Sequence, residues 1–164
     1  MTDAFVWIDG EIAARPHRGG DATVEQRGCQ YLPRLQVMRQ GARLRVVQAD
    51  PVLHNIHGWL GDKTVFNYAQ TPGGAPLPIR IKRPGLYRLV DDIHAGKRGY
   101  VLASPHRYAV VTDADGGFTF ADVPAGSYTL RVWHEVLGAQ QGQLTVAAGQ
   151  AHGATILYTA PPAR

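Results

Sequence analysis

Two short segments hold the side chains best suited to metal or acid–base chemistry. The first is Asp50-Pro51-Val52-Leu53-His54-Asn55-Ile56-His57, and the second is Asp91-Asp92-Ile93-His94-Ala95-Gly96-Lys97. Imidazole nitrogens and carboxylate oxygens are ligands for Zn(II) and Cu(II). Asp91 precedes His94 by three residues on a loop, a spacing that lets both turn toward one divalent ion. His54 and His57 are also three apart, but an extended segment sends residues at that spacing to opposite faces. On that ground they do not share an ion, and the plain reading is a loop with a packed histidine. The plain reading of the second segment is a solvated acidic turn. Taken together the segments mean more, because both sit at strand ends of the same predicted sandwich. His54, Asp91 and His94 are therefore candidate metal ligands; the lone thiol of Cys29 is a fourth, though its plain reading is a buried, inert small hydrophobe.

Other chemistry is sparse. Ser104 and Ser127 are the only serines, and neither lies in a nucleophile elbow. There is no His-Glu-x-x-His and no phosphate-binding loop. Asp91 and Asp92 are adjacent, so in an extended segment their side chains diverge and make no carboxylate pair. Asp113-Ala114-Asp115-Gly116-Gly117 lacks the closing Glu of a calcium loop and reads as a hairpin turn. His106 and His134 flank and enter the C-terminal region, where hydrogen bonding at a domain interface is expected of them. No enzymatic activity is expected.

The elements that must position these groups are strands. The chain has 164 residues, 45% hydrophobic and 18% charged, which suits a folded chain rather than a disordered one. Nineteen glycines and eleven prolines are spread along it, favouring many turns over a helical bundle. One cysteine excludes an intramolecular disulfide and any zinc site built on two thiolates. The net charge of +4 comes from scattered arginines with no aromatic-interleaved stripe, so nucleic acid is not an expected partner. Apolar runs are too short for a transmembrane helix. Phe5-Val6-Trp7-Ile8, Asp9-Gly10 and Glu11-Ile12-Ala13 read as a hairpin. Arg43–Val47 and Tyr128–His134 alternate as half-buried strands. Phe118–Phe120 and Ala154–Tyr158 also read as strands. The fold class is all-β: two tandem β-sandwiches, residues 1–104 and a smaller one over 105–164.

The order of several short words resembles a group of bacterial proteins with a cupredoxin-like domain followed by a carboxypeptidase-regulatory-like domain. These words are Gly28-Cys29-Gln30-Tyr31-Leu32-Pro33, Asp50–His57, Phe66-Asn67-Tyr68-Ala69-Gln70, Ile93-His94, Ser104-Pro105-His106, Thr112–Thr119 and Val123–Glu135. The resemblance implies a cupredoxin Greek key, then a sandwich of immunoglobulin or transthyretin type. It also implies a copper centre with a histidine at an internal strand end, and a cysteine, a histidine and a methionine on the last loop. The chain departs at the ligands. Asp91 stands where the relatives have cysteine, Lys97 where they have methionine, and Arg34 where a histidine is expected. A blue-copper ion needs a short thiolate bond and a weak axial thioether. Hard oxygen and an ammonium supply neither.

These departures predict that Lys97 pairs with Asp91 in place of a metal; the plain alternative is that both side chains point to solvent. The expected function is a non-catalytic structural or partner-binding protein that takes no cofactor. The alternative is a copper- or zinc-binding carrier or electron-transfer protein with an altered site of His54, Asp91, His94 and Cys29. The partner is a protein or larger assembly, engaged through arginines or the Pro-rich 71–78 loop, with homo-oligomers also open. The chain begins Met1-Thr2-Asp3 and runs into a strand with no secretory leader. The relatives carry a leader, so a periplasmic or extracellular location is expected, with the cytoplasm as the alternative.

Overall fold

The computed structural model describes residues 2–10, 12 and 20–158, and among these there are thirteen strands and no helix. In chain order they are β1 (Ala4–Ile8), β2 (Ala22–Arg27), β3 (Gln30–Leu32), β4 (Leu35–Arg39), β5 (Arg43–Gln48), β6 (His54–Leu60) and β7 (Lys63–Gln70). They continue with β8 (Leu77–Arg80), β9 (Gly85–Val90), β10 (Arg98–Ser104), β11 (Ala109–Val111), β12 (Gly126–His134) and β13 (Gly138–Val146). Contacts divide the chain into two compact units. One is His17–Pro105, and the other combines Met1–Pro16 with His106–Arg164.

The first unit is a sandwich. Its larger sheet runs β4-β10-β9-β6-β7 and its smaller one β3-β2-β5-β8. The β10–β4 and β2–β5 pairs are parallel, and the other pairs are antiparallel. Alternation decides which residues fill the space between the sheets. In Arg43-Leu44-Arg45-Val46, the two apolar side chains are fully buried while both arginines face solvent. Val24, Leu44, Val46, Ile56, Tyr87, Leu89 and Val101 form one cluster, each at most 1% exposed. Each such side chain is worth about 1.5–3 kcal/mol on burial.

Strand β6 has both faces occupied, and its first five residues are all buried. The core face carries His54 and Ile56. The other face carries Asn55 and His57. Gly58 lies opposite Phe66, and a Cβ there would meet the Phe66 ring at 2.1 Å. The glycine is required because the outer end of the ring fills the space a Cβ would take. The strand register shifts between Gly58 and Trp59.

The second unit has one four-stranded sheet, ordered β11-β1-β12-β13. Ala4, Val6, Ile8, Tyr108, Leu130 and Val132 form its core, and Phe118, Phe120, Val123, Ile156 and Tyr158 pack against it. The segments 118–120 and 154–158, expected as strands, are irregular.

The expected division at residue 104 is corrected at its N-terminal end. Strand β1 belongs with the C-terminal unit, pairing antiparallel with β11 on one edge and β12 on the other. The expected 5–13 hairpin begins in β1. Its second strand falls largely outside the described residues. The sequence could not show this, because a strand records its hydrogen-bonding need and its buried face but not its partner.

Candidate functional site

The site lies where β6 begins and β9 ends, in the sandwich unit. His54 opens β6 and is fully buried. The turn ahead of it is braced by Gln48, whose side-chain amide donates to the Val52 carbonyl at 2.7 Å and whose Oε1 accepts from the Asp50 amide at 3.1 Å. Asp91 directly follows β9. Its carboxylate accepts from the Ile93 and His94 amides through Oδ1, at 2.9 and 3.1 Å. These bonds fold the 91–94 turn back on itself and point Oδ2 inward.

Three charged or polar groups converge on that single oxygen. His54 Nδ1 lies 2.6 Å from it, His94 Nδ1 3.3 Å and Lys97 Nζ 3.3 Å. The Asp91 and Lys97 side chains are 0% and 1% exposed. Lys97 also donates to Gln26 Oε1 at 2.6 Å, and Gln26 donates to Gln70 Oε1 at 2.9 Å. Gln70 donates in turn to the Val46 carbonyl at 3.1 Å. The ammonium sits 4.6 Å from the centre of the Tyr31 ring, a cation–π contact. The Tyr31 hydroxyl donates to the Val90 and Asn55 carbonyls. The chain runs from Lys97, just ahead of β10, to Gln26 on β2 of the small sheet and back to Gln70 on β7 of the large one, with each polar group partnered.

The ionisations follow from this packing. Burial opposes the charge on Asp91, but the His54 hydrogen bond, the two amides and Lys97 outweigh it and hold the carboxyl at about 2. Burial pushes the Lys97 ammonium below its usual range, against the pull of Asp91. Burial pushes the Tyr31 phenol up, with Asp91 and Asp92 adding to it.

Asp50 closes the other side of His54. Its Oδ2 lies 2.9 Å from His54 Nε2. The same carboxylate accepts from the Gly28 and Cys29 amides at 2.6 and 3.0 Å. Both residues have left-handed backbone, φ 60° and 57°, and so aim two successive amides at one carboxylate. Burial opposes ionisation of Asp50, yet the amides of Cys29 and Gly28, with His54, lower its pKa. His54 is thus held between two carboxylates, and both contacts are hydrogen bonds when the ring carries a proton on each nitrogen.

The candidate metal ligands fall into two sets that share one residue. Donor atoms of His54, Asp91 and His94 lie within 4.8 Å of one another, and so do those of Cys29, Asp50 and His54. Cys29 and His94 share no set. The His54 and His94 rings meet edge to face, 4.5 Å between centres. His57 turns to the opposite face, where Nδ1 meets Asp92 Oδ2 at 2.8 Å and Nε2 meets Thr64 Oγ1 at 2.9 Å. Asn55 and Asn67 also donate to Asp92, each at 3.0 Å.

Sequence reasoning missed Asp50, Gln26 and Gln70. Asp50 carried a signal, since it lies four residues before His54, but Asp50-Pro51 reads first as a turn. Nothing local marks the two glutamines. His106 lies in the sheet unit, paired with the Gly10 carbonyl at 3.2 Å and accepting from the Tyr108 amide at 3.3 Å. His134 accepts from the Val136 and Leu137 amides at 3.2 and 3.3 Å.

Residues 100–158 match the model of the carboxypeptidase regulatory-like domain. The regulatory-like match takes in most of β10 and all of β11–β13, while β1, which completes their sheet, lies outside it. No curated protein matches the chain. Among solved structures it is similar to a purple cupredoxin from Nitrosopumilus maritimus, at 21% identity and a TM-score of 0.45 over 51% of this chain and 100% of that one. Amicyanin from Paracoccus versutus aligns at 18% identity and a TM-score of 0.45, over 60% of this chain and 97% of that one. A copper-containing nitrite reductase from Thermus scotoductus aligns at 18% identity and a TM-score of 0.46 over 58% of this chain. The chain spans 25% of that reductase's length.

The residues on the 91–97 loop do not fit the blue-copper ion that the sequence resemblance implies. No thiolate or thioether is present there. The one inward carboxylate oxygen already receives His54, His94 and an ammonium. A metal cation at that oxygen would meet the Lys97 charge directly.

Proposed function

We propose that the protein is a non-catalytic, partner-binding module whose 91–97 loop is organised by an internal ammonium instead of a metal. The observation that carries this reading is Lys97 Nζ, buried 3.3 Å from Asp91 and 2.6 Å from Gln26. An ion pair supplies positional order without redox chemistry. Leu32, Val52, Leu53 and Ile93 support the binding role: each is 40–48% exposed and lies within two residues of a site residue. The partner in this reading is a protein, and the setting is periplasmic or extracellular, as the sequence resemblance implies. The second reading is a copper or zinc carrier using His54, Asp91 and His94, whose donor atoms are close enough to share an ion.

Voltammetry and thermal unfolding of chelator-treated protein, with and without added copper, separate the two. The partner-binding reading expects no reversible copper couple, and no copper-dependent shift in unfolding that His94→Ala abolishes. A reversible couple that disappears in His94→Ala would overturn it. A protein cross-linked in its native setting by wild type, and lost with Leu53→Asp and Ile93→Asp, would support the binding surface.

A further inference from the structure

The two nitrogens of His54 serve different ends. Nδ1 faces Asp91, which is held in place by Lys97 and the 93–94 amides. Nε2 faces Asp50, beside the exposed thiol of Cys29. A buried carboxylate on one ring nitrogen fixes the tautomer and orients the other nitrogen as a ligand.

We propose that Cys29, Asp50 and His54 form a site for a zinc-class divalent cation. The donors are Cys29 Sγ, an Asp50 carboxylate oxygen and His54 Nε2. The three lie within 4.8 Å of one another. Tetrahedral zinc with bonds of about 2.0–2.3 Å needs its donors a little over 3 Å apart, so small side-chain rotations complete the geometry. Thiolate with imidazole and carboxylate is a borderline-soft set, which selects zinc over calcium or magnesium. Three protein ligands leave a fourth position, and the exposure of Cys29 opens it to water or to a partner's side chain.

Asp50 and Asp91 flank His54 on its two ring nitrogens, and Lys97 pairs with the supporting carboxylate of Asp91. The site uses His54 Nε2 and Asp50, which does not belong to the 91–97 loop, and His94 is not among its donors.

The test uses the full chain, reduced and freed of metal, titrated with Zn(II) against a chromophoric chelator and in parallel with Co(II). One equivalent should bind at micromolar concentration or below. Cobalt should give a thiolate-to-metal charge-transfer band, and zinc should slow alkylation of Cys29 about tenfold or more. Cys29→Ser and Asp50→Asn should each weaken binding by about tenfold or more. His94→Ala should leave binding unchanged. Circular dichroism confirms that each variant is folded; if Asp50→Asn unfolds, the cobalt band and Cys29→Ser decide alone. Absence of binding, a cobalt complex without the thiolate band, or loss of binding in folded His94→Ala would overturn the proposal.

Discussion

Asp91 receives more interactions than any other side chain of the site, and its energetics follow from burial. A buried pair broken on one side leaves an uncompensated charge, which costs about 3–5 kcal/mol. Lys97→Met should therefore lower unfolding free energy by about that amount in a denaturant titration. The Asp91→Asn/Lys97→Met double variant should lose less than the two single losses combined. Strict additivity would show that the pair is not coupled. The acid limb gives a second prediction. The Asp91 carboxyl is lowered in the folded state to about 2, so the unfolded chain takes up its proton first. Its contribution is complete above the unfolded pKa of about 4 and is lost as pH falls through about 2. Stability of wild type should drop across that window, and Asp91→Asn should flatten the drop.

Strand β6 shows how one element serves two sites. Alternation gives His54 to the interior and His57 to the opposite face, each with its own carboxylate from the adjacent pair Asp91 and Asp92. The three-residue spacing was enough to read that divergence. The partner carboxylates were not legible, because register between β6 and β9 is set by the packing of Ile56, Tyr87 and Leu89 rather than by anything in the histidine segment. The Gly58–Phe66 contact helps hold β6 against β7. Gly58→Ala should cost about 1–3 kcal/mol by displacing the ring. Phe66→Leu should recover part of that loss when combined with it. A neutral Gly58→Ala in thermal unfolding would show that β7 shifts freely.

At the scale of the molecule, β1 is the decisive element. Ala4, Phe5, Val6 and Ile8 are each at most 2% exposed, and the strand is interior in its sheet. Val6→Asp buries a charge without a partner, a penalty the second unit's small core does not meet. Amide exchange should then lose protection across β11, β12 and β13 while β9 and β10 keep theirs. Equal loss in both units would show that they fold as one cooperative block.

The all-β class and the candidate ligands were legible in the amino-acid sequence. Those readings rest on composition, on the two-residue period of strands and on ligand chemistry, all of which are local. Its resemblance to carboxypeptidase-regulatory-like domains is matched over residues 100–158. The partner of β1, which joins the C-terminal sheet, and the separation of Cys29 and His94 into different donor sets around His54 came only with the packed fold. The fold also decided that Gln26, 71 residues from Lys97, receives the ammonium. These depend on which strands pair and which faces meet. That choice is made by burial summed over the whole core, and a short word of sequence does not encode it.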